Sequence, residues 1–130
     1  MQTPEDLKYT KNDEWIRVEG EVGTIGITDY AQDQLSDVDY VEVLLSEGEE
    51  ASAGDSCATV ESVKAAADVY LPASGTVTAV NEDLADTHEK VNTDPYGDAW
   101  MVKIELSDPS ELGELMDAAA YKSYCDEREH

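Results

Sequence analysis

Val60-Glu61-Ser62-Val63-Lys64-Ala65-Ala66-Ala67-Asp68-Val69-Tyr70 is the stretch whose reading decides the fold. Residues 57–60 and 68–71 are strand-compatible runs at equal distances on either side of Lys64, which predicts a β-hairpin with that lysine at its apex. An apex lysine points into water. This one also stands alone, because no other Lys or Arg occurs between Arg17 and Lys90. The competing local reading is a helical turn, since residues 63–67 have good helix propensity, but the run is short and lacks a stop signal. The hairpin is the preferred reading.

The chain around it has 130 residues, enough for one domain with a continuous apolar core, and 41% of them are hydrophobic. Its charge is extreme: 31 acidic residues against 8 basic give −23. With no basic patch to release counterions from phosphate, a nucleic-acid partner is excluded; mimicry of nucleic acid is a minor alternative. The acids are spread along the whole chain, which favours a general surface adaptation over an acidic binding tail. Like charges at this density repel unless salt screens them, so the composition predicts a protein made for high ionic strength, such as a halophile's cytosol. Cys57 and Cys125 are too few and too far apart for a disulfide framework or a zinc site, which predicts a reduced, cytoplasmic protein. The first six residues carry neither a basic region nor an apolar run, and no stretch approaches membrane-spanning length, so no signal peptide and no membrane partner are expected.

Outward from the hairpin, turns are expected at Ala53-Gly54-Asp55 and at Pro72-Ala73-Ser74-Gly75, and residues 76–80 read as a β-branched strand. Toward the N-terminus, residues 7–9 predict a brief strand. Residues 15–18 and 22–27 flank Glu19-Gly20-Glu21 as a second hairpin. Residues 28–35 predict a short connecting helix capped by Asp29, and residues 38–45 a half-buried strand that ends in a loop at 46–50. Toward the C-terminus, residues 86–97 read as an irregular loop. In the strand that follows, Trp100, Val102, Ile104 and Leu106 share the core face while Met101, Lys103 and Glu105 point away. Ser107-Asp108-Pro109 then starts a helix carrying Leu112, Leu115, Met116 and Ala119; Tyr121, Tyr124 and Cys125 continue on a second, and residues 126–130 fray. The pattern predicts a mainly β, flattened barrel or sandwich with short helices and a C-terminal helical segment at about 108–126.

Most catalytic constellations are missing. Two histidines, His88 and His130, cannot assemble a triad or a metal cluster, and the glycines at 20, 23 and 26 lie in a hairpin instead of a phosphate-binding strand-to-helix turn. Acids at 37–39 and 83–86 lack calcium-loop spacing and read as solvated surface. Lys64 is different. An amine raised on a tight turn can enter another protein's active site, and Ala65, Ala66 and Ala67 leave its approach open, with Glu61 and Asp68 as nearby acids.

Glu61-Ser62-Val63-Lys64-Ala65 resembles the lipoylation site of the glycine cleavage system H-protein family. The similarity extends to Glu14-Trp15, Gly26-Ile27-Thr28, Val80-Asn81, Pro95-Tyr96, Trp100-Met101 and residues 112–121. Biotin carriers flank their lysine with Met, and 2-oxoacid dehydrogenase lipoyl domains place Asp before it; this chain has Val63 and Ala65. The resemblance implies a lipoyl/biotinyl-carrier-like hybrid fold in one domain over residues 1–130, with a hairpin core at about 53–80. It further implies a non-catalytic carrier with lipoate in amide linkage on Lys64, and Glu61, Ser62, Val63 and Ala65 read by a lipoate ligase or lipoyl transferase. The aminomethyl group of glycine would pass from the pyridoxal-phosphate glycine decarboxylase (P protein) to the folate-dependent aminomethyltransferase (T protein). Dihydrolipoyl dehydrogenase (L protein) would then reoxidise the arm. Glu14 and Asp68 match positions of a cleft that shelters the loaded arm. Asn12 and Asp13 stand where Ser and His are common, and Tyr30 and Gln34 where histidines often occur. A lipoate-relay protein that donates its lipoyl group to other apoproteins, and an unmodified acidic interaction module, are the rival readings.

Overall fold

The computed structural model describes residues 2–128; of the fraying expected over 126–130, residues 126–128 instead stay helical, with Arg128 held by Asp13, and Glu129 and His130 lie outside the described residues. In chain order the strands are β1 (Lys8–Tyr9), β2 (Glu14–Glu19), β3 (Val22–Ile27), β4 (Val38–Val43), β5 (Glu50–Ala51), β6 (Ser56–Ser62), β7 (Ala66–Tyr70), β8 (Gly75–Val80) and β9 (Val102–Leu106). The helices are α1 (Asp29–Leu35), α2 (Lys90–Thr93) and α3 (Ala118–Arg128), with short 3-10 turns at Glu82–Ala85 and Pro109–Glu114. Six strands form one antiparallel sheet in the order β1-β2-β3-β9-β8-β5, and three form a second, β4-β6-β7. The fold is a two-sheet sandwich that does not close into a barrel.

Alternation builds the core between the sheets. Ile16, Ile25, Val60, Val69, Val77, Val102 and Ile104 point inward and are almost fully buried. Each such side chain contributes roughly 1.5–3 kcal/mol over leaving it in water. A second cluster of Leu7, Tyr9, Trp15, Tyr30, Tyr96, Tyr121 and Cys125 lies on the other face of the large sheet and seats α3, with Tyr9 and Tyr121 stacked at 4.5 Å. Gly26 makes the second cluster possible: a Cβ there would lie 2.8 Å from the Trp15 ring. Gly20 takes φ +64° in the two-residue turn between β2 and β3, a backbone state open to glycine without strain.

Several expectations need correction. Thr28, not Asp29, caps α1: its hydroxyl accepts from Ala31 N at 3.1 Å, while Asp29 is the first helical residue and accepts from Gln32 Nε2. The helix also buries Tyr30 and Leu35, so it is more than a connector. The expected loop at 46–50 runs into the edge strand β5, and the expected loop at 86–97 contains α2; buried Val91 anchors that turn among breaker residues. Met101 is fully buried, because β9 begins only at Val102 and strand alternation does not extend back to Trp100 and Met101. No continuous helix starts at Pro109. A 3-10 turn ends at Glu114, and Met116 then exchanges backbone hydrogen bonds with Tyr9 (2.8 and 2.9 Å), so sheet pairing interrupts the helix until Ala118.

Candidate functional site

The hairpin of β6 and β7 pairs antiparallel as far as Glu61 opposite Ala66, and residues 62–65 turn the chain. Ser62 builds that turn. Its backbone N–H donates to Ala65 O at 2.8 Å, and its hydroxyl donates to the same carbonyl while accepting from the N–H groups of Lys64 (3.3 Å) and Ala65 (3.1 Å). This is the local hydrogen bonding that serine offers a tight turn. Val63 is 88% exposed, and Lys64 beside it is exposed and makes no ion pair among the described residues. The fold therefore puts one solvated primary amine on the turn at the end of the three-stranded β4-β6-β7 sheet.

Below the tip, a cleft of about 260 Å³ opens between β7 and α1. Ala67 to Tyr70 form one wall, Ala31, Gln34 and Leu35 the other, and Asn12 and Asp13 close the end. Asp68 stands exposed on the β7 wall with its carboxylate 3.5 Å from the Tyr70 hydroxyl. Glu14 is not on the surface of the cleft. It is 2% exposed behind the wall, where its carboxylate accepts from Thr10 Oγ1, Asn12 Nδ2 and Tyr70 N (3.1 Å). Burial raises its pKa; the bonds from Thr10, Tyr70 and Asn12 pull the other way, and the Asp13 charge adds to the rise.

This arrangement also explains how an edge strand is kept closed. β7 pairs only with β6, so its outward ladder groups need partners. Asn12 Nδ2 reaches Asp68 O at 3.4 Å and Glu14 fills Tyr70 N, so a side chain from the loop before β2 and one from its first residue stand in for a neighbouring strand. Asp13, between them, has φ +67° and is held from the opposite direction. Its carboxylate takes Arg128 Nη2 (2.6 Å), Arg128 Nη1 (3.1 Å) and the Tyr121 hydroxyl (2.8 Å). The Arg128 guanidinium lies 4.1 Å from the Tyr30 ring and 4.2 Å from the Tyr124 ring. Burial opposes its charge, but the bonds to Asp13 and Cys125 raise its pKa further from neutrality. An unbroken chain of contacts thus runs from α3 through residues 12–14 to the wall of the cleft.

Of the residues singled out in the sequence, Lys64 lies at the hairpin tip and Asp68 on the cleft wall, but Glu14, expected to face the cleft, is buried behind the wall because its carboxylate is taken up by Thr10, Asn12 and Tyr70 N; the Asp13 to Arg128 clasp, whose partners are 115 positions apart, was missed. Tyr30 is buried against Arg128, whereas Gln34 does line the cleft. His88 Nδ1 donates to Val38 O (2.9 Å), and no cluster of metal-ligating side chains occurs among the described residues. Cys57 and Cys125 are free and buried, and burial followed by the Glu14 charge pushes the Cys57 thiol up to about 12, which keeps it unreactive. No helix among the described residues is long and apolar enough to cross a membrane.

Residues 7–128 match the family model described as glycine cleavage H-protein. The chain is 56% identical over 122 residues to the glycine cleavage system H protein of Halorhodospira halophila, covering 93% of each. It is 50% identical over 129 residues to that of Anaeromyxobacter sp. strain K, covering 99% of this chain and 100% of the relative. Among solved structures it resembles a glycine cleavage system H protein from Mycobacterium marinum, with TM-score 0.83, 34% identity and coverage of 98% of this chain and 99% of the other. The chain belongs to the glycine cleavage H-protein family.

Proposed function

We propose that this chain is the lipoyl carrier of a glycine cleavage system, with lipoate in amide linkage on Lys64, and that it is not itself an enzyme. The observation that carries the reading is the unpaired, solvated amine of Lys64 at the tip of a hairpin whose next residues form the wall of a cleft. The residues fit the group. The amine is free to be acylated, Ala31, Leu35 and Val69 supply apolar surface for an alkyl arm, and Asp68 offers a carboxylate to a cationic end. Bound lipoate supplies a dithiolane that takes up the aminomethyl group of glycine and yields electrons on reoxidation.

Lys64 then acts as anchor, and the hairpin raises the effective concentration of whatever it holds at each partner's site. Asp68 would offer its carboxylate to a cationic end of the arm, whereas Glu14 acts from behind by holding Tyr70 N and Asn12, and so the wall. Glu61, Ser62, Val63 and Ala65 form the surface a lipoate ligase or lipoyl transferase reads. Residues 1–130 work as one carrier domain with its hairpin core at about 53–80, closed at the C-terminal side by the Pro109–Glu114 turn and α3. Its partners are glycine decarboxylase, aminomethyltransferase and dihydrolipoyl dehydrogenase, in a cytoplasm whose high salt the acidic surface suits. Glycine-dependent exchange of carbon dioxide, run with the decarboxylase, tests the reading. Exchange that needs lipoylated carrier and vanishes with Lys64→Arg is expected; a carrier that transfers lipoate to other apoproteins but supports no exchange would establish the relay reading instead.

A further inference from the structure

Four large apolar side chains are exposed among the described residues: Tyr40 (43%), Leu44 (45%), Val63 (88%) and Tyr70 (37%). Tyr40 and Tyr70 lie in the small sheet that carries Lys64, Leu44 one residue beyond its strand β4, and Val63 in the turn between β6 and β7. In a chain with net charge −23, whose other large apolar side chains are buried or half-buried, this concentration is not general surface composition. Register explains it. Tyr40 pairs with Glu61 and Glu61 with Ala66; Glu42 pairs with Thr59 and Thr59 with Asp68. Alternation puts Val41, Val60 and Val69 into the core, so Tyr40, Glu42, Glu61, Asp68 and Tyr70 share the outer face. Leu44, one residue beyond β4, extends that row, with its N–H still on Cys57 O at 2.9 Å.

The chemistry of a complementary surface follows. Glu42, Glu61 and Asp68 are exposed on this face and no Lys or Arg lies on it, so its partner presents cationic groups around recesses for Tyr40 and Leu44. The first row, Tyr40-Glu61-Ala66, adjoins the turn, so an enzyme seated on this face has the Lys64 amine within reach at its end. The patch is about 10 by 15 Å from strand spacing and rise. That is well short of the roughly 800 Å² per partner of a stable complex. It suits a contact made and broken once per modification.

We propose that the outer face of the β4-β6-β7 sheet is the docking surface for the enzyme that acylates Lys64. This rests on the function proposed above and extends the surface read by the modifying enzyme from the turn residues onto the outer face of the sheet. Enzymes that handle the finished arm can read the arm. The acylating enzyme meets only protein, and forms an amide between the acyl carbon of an activated donor and Nζ; the bond to the donor's leaving group breaks, and the ammonium gives up two protons, one on becoming the nucleophilic amine and one as the amide forms.

The experiment measures acylation of the full chain by a purified lipoate ligase with lipoate and ATP, following intact mass. Carriers carrying Tyr40→Ser with Leu44→Ser, Glu42→Lys, or Glu19→Lys are compared with the parent. Glu19 is exposed on the large sheet, and its variant makes the same charge change away from the face. The first variant should raise KM for the carrier about tenfold or more with kcat within twofold. Glu42→Lys should raise it several-fold at low salt while Glu19→Lys leaves it unchanged. Unchanged melting confirms that each variant is folded. Parental KM in both face variants overturns the proposal. So does a KM defect confined to the decarboxylase with pre-lipoylated variants, which would assign the face to that partner. A parent chain that never accepts lipoate would defeat the underlying function, a result distinct from either.

Discussion

The tip and the root of one hairpin are built on opposite terms. At residues 62–65 a single serine hydroxyl organises the turn, Val63 stands in water, and nothing among the described residues holds the Lys64 side chain. Four residues on, Asp68 O and Tyr70 N are filled by Asn12 and Glu14, Val69 is 1% exposed, and the loop supplying those partners is pinned to α3 through Asp13 and Arg128. A carrier needs both. An anchor must move between partners, whereas a shelter must keep its shape, and the two-residue period of a strand lets seven residues supply both.

Breaking the root should cost most. Glu14→Ala leaves Tyr70 N without its buried acceptor and strips partners from Thr10 and Asn12, so stability to urea should fall by about 2 kcal/mol or more. The same carboxylate gives a pH test. Its folded pKa is raised, so its contribution to stability is complete below its unfolded value and is lost as pH rises through the folded one. The stability of the parent relative to Glu14→Gln should therefore decline across that interval and level off above it, when both are unfolded in molar salt.

The clasp comes next. Arg128→Met removes two charge-assisted bonds and two ring contacts, and should lower stability by about 1–2 kcal/mol. Hydrogen exchange should then quicken at residues 12–14 and at Tyr70, while residues 62–65 exchange as fast as before. If protection at Tyr70 does not change, α3 does not support the wall.

Salt distinguishes the two regions differently. Melting temperature should rise from low to molar salt because 31 acids repel. The exchange rate at the tip should hardly respond. The smallest effect belongs to Ser62→Ala, which should loosen the turn by under about 1 kcal/mol and leave global unfolding unchanged.

Much of this was legible in the chain. The hairpin around Lys64 could be read because short apolar runs, small residues and a lone cation coincide within a dozen positions. The β2-β3 hairpin and the inward Val102 and Ile104 of β9 were legible for the same reason: local alternation reports burial. The clasp was not. Asp13 and Arg128 are two charges among many, and only the packing of α3 against Tyr9 and Tyr30 brings them together. The break at Met116 was hidden likewise, since helical spacing of Leu112, Leu115 and Met116 says nothing about a backbone pairing with Tyr9. Glu14 was found by resemblance, but its place behind the wall depends on the open edge of β7, which only the sheet order reveals.

One measurement bears most directly on the central claim that the tip exists to present an acylated lysine. The chain is incubated with lipoate ligase, lipoate and ATP, digested, and mapped by mass spectrometry. The account predicts a single lipoyl increment on the peptide containing Lys64, with unmodified lysines at 8, 11, 90, 103 and 122. An increment distributed over those other lysines, or none at all on a folded chain, would contradict it.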